Sequence, residues 1–251
     1  MRLQLRIWRQ DEAGTSSRGR FVSYSVEVEP ELSFLDMLDQ LNEELIRRGE
    51  RGIEFDHDCR EGICGACGVL IDGRPHGPVP GTTTCQLHMR QFSEGDVLTI
   101  EPFRSACFPV ICDLKVDRGS LDRVQQAGGY VSTNVAAAPE ANSIPISRDA
   151  AEAAFSMAAC IGCGACVASC KNASAALFTG AKVAHLAELP QGKVEAFRRA
   201  KSMVAAMDAE GFGHCTHTGA CEAVCPQGIS ATAIVRLNWE YNRARLRDLF
   251  R

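Results

Sequence analysis

Leu3, Leu5 and Ile7 occupy alternate positions in RLQLRIWR, so residues 2–9 read as a strand with one buried face. A polar stretch with Gly14, Ser16, Ser17 and Gly19 reads as a turn, and FVSYSVEV (21–28) as a second strand paired with the first in a hairpin. Pro30 closes it. The period then changes. Phe34, Leu35, Leu38, Leu41 and Leu45 recur at helical spacing, Ser33 stands at the N-cap position and Gly49 lies past the end, which predicts a helix over roughly 34–48. Val69-Leu70-Ile71 reads as a short strand turning at Asp72-Gly73. Pro75, Pro78, Pro80 and three threonines then make an irregular excursion to Cys85, and VLTIE (97–101) is a closing strand. Strands, one helix and a strand-flanked cysteine loop predict a compact β-grasp-like domain.

The pattern differs beyond it. FPVICDLKV (108–116) reads as a connector. Alanine-rich segments with helical periodicity follow at roughly 118–127, 148–159, 172–188, 193–209 and 229–247, with a loop at 136–143. The class is therefore α+β, with an N-terminal β-grasp domain over 1–106 and an all-helical domain over 107–251 that carries cysteine loops between its helices.

Bulk properties narrow the function. The 251 residues suffice for two ordinary domains, and 45% hydrophobic with 23% charged residues is ordinary for a folded soluble protein. A net charge of −4 argues against nucleic-acid binding. The N-terminus, MRLQLRIWRQDEAG, has no apolar h-region of a secretory signal. No stretch approaches the ~20 apolar residues of a membrane helix, so the chain is expected to meet a membrane only through a partner.

The 13 cysteines carry the chemistry. An odd number, tight C-x2-C repeats and no export signal argue against disulfides and for metal. Zinc takes four ligands in one compact set, which divides these cysteines awkwardly. Cys59-x4-Cys64-x2-Cys67 with a distant Cys85 is the plant-type [2Fe–2S] spacing: a tight loop wraps three thiolates and a neighbouring segment supplies the fourth. Gly62, Gly65 and Gly68 interleave the ligands and let backbone N–H groups approach sulfur.

Cys160-x2-Cys163-x2-Cys166-x3-Cys170 is the bacterial ferredoxin run, whose fourth cysteine serves the other cluster of a pair. The same ruler laid from Cys215 falls on positions 215, 218, 221 and 225, followed by Pro226, and position 218 is Thr218. Cys160, Cys163 and Cys166 with Cys225 then make four ligands, a [4Fe–4S] set. Cys215 and Cys221 with Cys170 make only three, a [3Fe–4S] set. Cys107 and Cys112 match no run and read as buried or half-buried thiols. His217 adjoins the three-iron loop and reads first as a polar loop residue, with proton or quinone chemistry as the alternative. Arg236, Arg243, Arg245, Arg247 and Arg251 load the last helix with cations, which suits its C-terminal dipole.

Cys59-Arg-Glu-Gly-Ile-Cys64-Gly-Ala-Cys67, then Cys160-Ile-Gly-Cys163-Gly-Ala-Cys166, then Cys221-Glu-Ala-Val-Cys225-Pro226, in this order, resembles the iron–sulfur subunit of succinate dehydrogenase and fumarate reductase. The resemblance spans nearly the whole chain, including Asn238–Asn242 in the last helix. It implies a plant-type ferredoxin domain followed by a bacterial-ferredoxin-like helical domain. It implies a flavoprotein partner carrying FAD, where succinate and fumarate interconvert, and a membrane anchor hosting quinone, with this chain peripheral at the cytoplasmic face of the cell membrane. Electrons would pass from flavin through [2Fe–2S], [4Fe–4S] and [3Fe–4S] to quinone, with no substrate chemistry on this chain.

Departures from the family pattern are the longer Cys67–Cys85 segment, Lys171 where proline is common, Ala175 where a quinone-contacting tryptophan is common, and Thr216 where histidine is common. The usual quinone pocket therefore does not carry over. The alternatives are a fumarate:quinol reductase subunit, a subunit of another flavin dehydrogenase, or a structural metal protein.

Overall fold

The computed structural model describes residues 1–11, 19–132, 137–138, 140–143, 146–190 and 192–250. The polar turn read at Gly14, Ser16 and Ser17 and part of the loop read at 136–143 lie outside the described residues. β1 (Arg2–Arg9) and β2 (Arg20–Glu27) pair antiparallel, from Arg2 opposite Glu27 to Arg9 opposite Arg20. Leu3, Leu5 and Ile7 are fully buried. They share one core with Phe34, Leu35, Leu38, Leu41 and Leu45 of α1 (Phe34–Arg47). The start of α1 is fixed by a reciprocal box: the Ser33 hydroxyl accepts from the Asp36 N–H (3.2 Å), and the Asp36 carboxylate accepts from the Ser33 N–H (3.0 Å). A cap of this kind is worth about 1 kcal/mol.

β3 (Leu70–Ile71), β4 (Arg74–Pro75) and β5 (Val97–Glu101) complete a five-stranded sheet of order β2-β1-β5-β3-β4. β1 and β5 run parallel, Leu5 opposite Leu98 and Ile7 opposite Ile100. A parallel pair needs a long crossover. The segment that makes it contains α1 and the first cysteine loop, so the crossover that closes the sheet also carries the first site.

The segment 108–116, expected as a connector, forms a hairpin of β6 (Val110–Cys112) and β7 (Lys115–Val116). Asp113 at its turn is fully buried. Its carboxylate accepts from the N–H groups of Gln10 (2.8 Å) and Glu54 (3.0 Å) and from both Nη atoms of Arg51 (2.9 Å each), and it pairs with Arg9 Nε at 3.2 Å. These partners lie far away in sequence, which is why the local pattern did not show the hairpin.

The second half is helical: α2 (Gly119–Gln126), α3 (Arg148–Ala158), α4 (Ala165–Ser169), α5 (Ala176–Glu188), α6 (Lys193–Ala209), α7 (Ala220–Ala223) and α8 (Thr232–Leu249). α5 is its centre, buried along most of its length and packed against α3, α6 and α8. It starts at Ala176 rather than near 172, because Ala173 takes a left-handed φ of 50° that a helix cannot hold. α4 and α7 were not expected, since one turn is too short to show a period. The two halves share a core in which Leu70 and Phe103 meet Phe108, Leu121, Phe178 and Phe212. Among the described residues, no helix is long and apolar enough to cross a membrane.

Candidate metal centres

The first cysteine loop is anchored to α1. Arg60 pairs with Asp36 (3.0 Å) and Asp39 (2.6 Å), and its carbonyl accepts from Gln86 Nε2 at 2.7 Å. Cys67 and Cys85 are buried, Cys59 is half-buried and Cys64 is exposed. Arg60 and Gly62 hold positive φ, and the N–H groups of Glu61 and Cys64 reach Cys59 Sγ at 3.3 and 3.4 Å, while that of Ala66 reaches Cys64 Sγ at 3.4 Å. The Thr83 hydroxyl lies 3.2 Å from Cys85 Sγ. Bonding from the Glu61 and Ile63 N–H groups brings the Cys59 thiol down to about 7, and burial pushes Cys67 up to about 12. The loop thus offers one sulfur already prone to ionise and one that ionises only beside a cation.

His76 is buried beside this set. Its Nδ1 accepts from the Thr84 N–H at 3.2 Å, and its ring meets Phe103 edge to face at 5.9 Å. Burial, with the Arg118 charge adding to it, lowers its pKa to about 4. This lies below the ~6.5 of an unfolded histidine. The neutral ring therefore contributes stability that is fully present above ~6.5 and is lost as pH falls toward 4. Guanidinium unfolding at stepped pH should show up to about 3 kcal/mol lost across that window. His76→Asn, which tolerates the left-handed φ of 65° at this position, should lose this portion of the slope; an unchanged slope in the variant would refute the assignment.

The two later runs interlock. One cavity is lined by Cys160, Cys163, Cys166 and Cys225 with Phe178 and Pro226. A second is lined by Cys170, Cys215 and Cys221 with Thr218. Each cavity thus draws a cysteine from the other run. The backbones repeat as well. Positive φ falls at Gly162 and His217, at Gly164 and Gly219, and at Ala173 and Gly228, the matching positions of the two runs. Gly164 and Gly219 are the N-caps of α4 and α7, a left-handed position that suits glycine.

The donor set fits iron–sulfur clusters. Burial raises Cys160, pushes Cys163 up to about 12 and drives Cys166 well above its usual range. Such thiolates need a cationic core beside them. Among the described residues, no three His, Cys, Asp or Glu side chains converge on a single metal ion. The thiols of the two later runs line cavities. Further N–H groups reach sulfur from Ile229 to Cys225 and from His217 to Cys215, both at 3.4 Å. Cys107 is buried and Cys112 half-buried, outside all three sets. Ala175 is fully buried and Thr216 lines the second cavity.

The three sites adjoin. A Cβ on Gly65 would lie 2.4 Å from the Ile161 carbonyl, so the first loop rests directly on the second. Gln227 Nε2 donates to the Gly62 carbonyl at 3.0 Å, joining the third run to the first loop. Arg118 donates to the carbonyls of Gly65, Ala66 and Cys163. Sequence reasoning missed Arg118 and Gln227. Aligning the two runs could have found Gln227: it stands two residues after Cys225, as Asn172 stands two after Cys170, and Asn172 Nδ2 likewise bridges to a neighbouring loop, at the His214 carbonyl (2.9 Å). Nothing local to its sequence marks Arg118.

A β-grasp sheet carrying one cysteine loop, joined to helices around two interlocked cysteine runs, defines a two-module iron–sulfur protein. The comparisons agree: residues 4–123 match the 2Fe-2S iron-sulfur cluster binding domain and residues 156–229 the 4Fe-4S dicluster domain. The chain is 28% identical over 170 residues to the fumarate reductase iron-sulfur subunit of Wolinella succinogenes, covering 67% of this chain and 66% of that one. It is 25% identical over 255 residues to the succinate dehydrogenase iron-sulfur subunit of Bacillus subtilis, covering 97% and 94%. A chain of the Mycobacterium smegmatis Sdh1 complex in the apo form shares the fold, with a TM-score of 0.74, 24% identity and 98% and 96% coverage. The chain is thus similar to the iron–sulfur subunits of succinate dehydrogenase and fumarate reductase. Its two modules are those of an iron–sulfur electron-transfer protein.

Proposed function

We propose that this chain relays electrons between the FAD of a flavoprotein partner and quinone at a membrane anchor, in a membrane-bound succinate:quinone oxidoreductase. The observation that carries the reading is the contact in series of the three cysteine sets, from the Cys59–Cys67 loop onto Ile161 and Cys163, and from there into the interlocked second cavity. In this reading Cys59, Cys64, Cys67 and Cys85 hold [2Fe–2S] within residues 1–106. Cys160, Cys163, Cys166 and Cys225 hold [4Fe–4S], and Cys170, Cys215 and Cys221 hold [3Fe–4S], within 107–251. Such clusters supply one-electron couples.

The protein's own part is to hold the sulfurs, exclude water from the buried ones and point N–H groups at them, which favours the more negative reduced state. Exposed Cys64 and Ile63 place one end of the series at the surface, where the flavoprotein would dock. In this reading the cavity of Cys170, Cys215 and Cys221 would face the anchor, with the chain peripheral at the cytoplasmic face. The fumarate reductase relatives favour a second reading, the same relay run from quinol to fumarate. The complex purified anaerobically with its partners tests the proposal by low-temperature EPR. Succinate should reduce the [2Fe–2S] centre and bleach an oxidised three-iron signal, and added quinone should restore that signal. A colourless protein holding zinc and no labile sulfide would overturn it.

A further inference from the structure

Arg118 belongs to neither cysteine loop. It immediately precedes α2, yet its guanidinium spans the joint between the first two sites. Nη1 donates to the Gly65 carbonyl and, at 3.1 Å, to the Cys163 carbonyl, and Nη2 donates to the Ala66 carbonyl at 3.2 Å. Gly65 and Ala66 lie between two cysteines of the first set, and Cys163 is itself a member of the second. The loops it ties are already in contact: a Cβ on Gly65 would stand 2.4 Å from the Ile161 carbonyl and 3.1 Å from the Cys163 nitrogen. The stem of Arg118 is held as well, with its Cδ 3.7 Å from where a Cβ on Gly164 would sit.

We propose that Arg118 is a positioning residue for electron transfer: it fixes the spacing of the first two centres and, as a fixed cation beside both, raises their reduction potentials. The inference rests on the reading that these loops hold [2Fe–2S] and [4Fe–4S]. Its two effects separate physically. Spacing depends on the planar fork, which presents several N–H donors at once, whereas a lysine offers a flexible point charge. Potential depends on charge, because reduction adds an electron to the cluster and a nearby cation stabilises the result. Arg118→Lys therefore keeps the charge and loses the fork. Arg118→Gln loses both.

The test uses the purified complex with all its partners. EPR-monitored redox titration reads the two potentials. The broadening of the reduced [2Fe–2S] signal when [4Fe–4S] is also reduced reads their spacing. The oxidised three-iron signal is the internal control and should not move. In Arg118→Lys the magnetic coupling should change while both potentials stay near those of the parent. In Arg118→Gln the coupling should change and both potentials should shift downward. A glutamine variant with all its clusters, parental coupling and parental potentials would overturn the proposal. If that variant does not keep its clusters, the lysine variant decides: altered coupling supports the positioning role, and unaltered coupling refutes it. Absence of both signals from the parent complex would instead overturn the underlying cluster assignment, and this proposal with it.

Discussion

Replacing Thr218 with cysteine is expected to abolish the oxidised three-iron EPR signal and to create a four-iron centre of lower potential. Thr218 stands in the later run where Cys163 stands in the earlier one. Each precedes a left-handed glycine, Gly164 with φ 85° and Gly219 with φ 75°, and each lines its cavity. The backbone at position 218 therefore already has the form that presents a ligand. What is missing is the donor, since an alcohol at neutral pH is a far poorer iron ligand than a thiolate. Cysteine would supply it without moving the chain. An all-thiolate site is more negative, so an electron resting there becomes easier to hand back and harder to receive. Each 59 mV is a tenfold change for one electron, so quinone reduction should fall by about tenfold or more, while succinate reduction of the first centre is unchanged. Thr218→Ser should keep the parental signal. Full survival of the three-iron signal in Thr218→Cys would show that this corner is not the vacant one.

Asp113→Asn should be the most damaging change outside the cysteines. The carboxylate is fully buried and accepts from two backbone N–H groups and from Arg51, with Arg9 as a second cation. An amide keeps the shape and tolerates the left-handed backbone at φ 46°, so backbone strain is not the cause. It removes the charge and turns one acceptor into a donor facing other donors. Breaking a buried pair in this way costs about 3–5 kcal/mol. Arg51 is partly exposed, and the loss of its contribution is screened, which places the expectation near the lower end. This is a large share of the 5–15 kcal/mol that holds an ordinary domain together. Denaturant unfolding followed by visible absorbance of the first centre should show its midpoint falling sharply. A loss below about 1 kcal/mol would mean that the hairpin is held chiefly by its apolar contacts.

Much of this fold was legible because its signals are local. Leu3, Leu5 and Ile7 announce a half-buried strand, and Ser33 with Asp36 starts a helix within one turn. The cysteine runs were legible for the same reason: metal loops fix ligand spacing over a few residues. The pairing of Cys225 with the earlier run needed only the internal repeat. What stayed hidden depends on long-range geometry. Asp113 looks like an ordinary turn residue until Gln10, Arg51 and Glu54 are brought to it. Arg118 carries no periodicity and no motif, and its importance lies wholly in where the loops of Gly65 and Cys163 meet. α4 and α7 escaped notice because one turn has no measurable period.

The exchange of cysteines between the two runs also bears on the order of events during synthesis. Cys225 lines the cavity of the earlier run and Cys170 that of the later one. A chain leaving the ribosome N-terminus first can finish the sheet and its own cysteine loop early, since Cys59 to Cys85 lie within one continuous stretch. The earlier helical cavity must stay open until residue 225 has emerged. Cluster insertion would then proceed in two stages, one during translation and one after it. A truncated chain ending before Cys215, which lacks Cys215, Cys221 and Cys225, would acquire the first cluster and neither of the others.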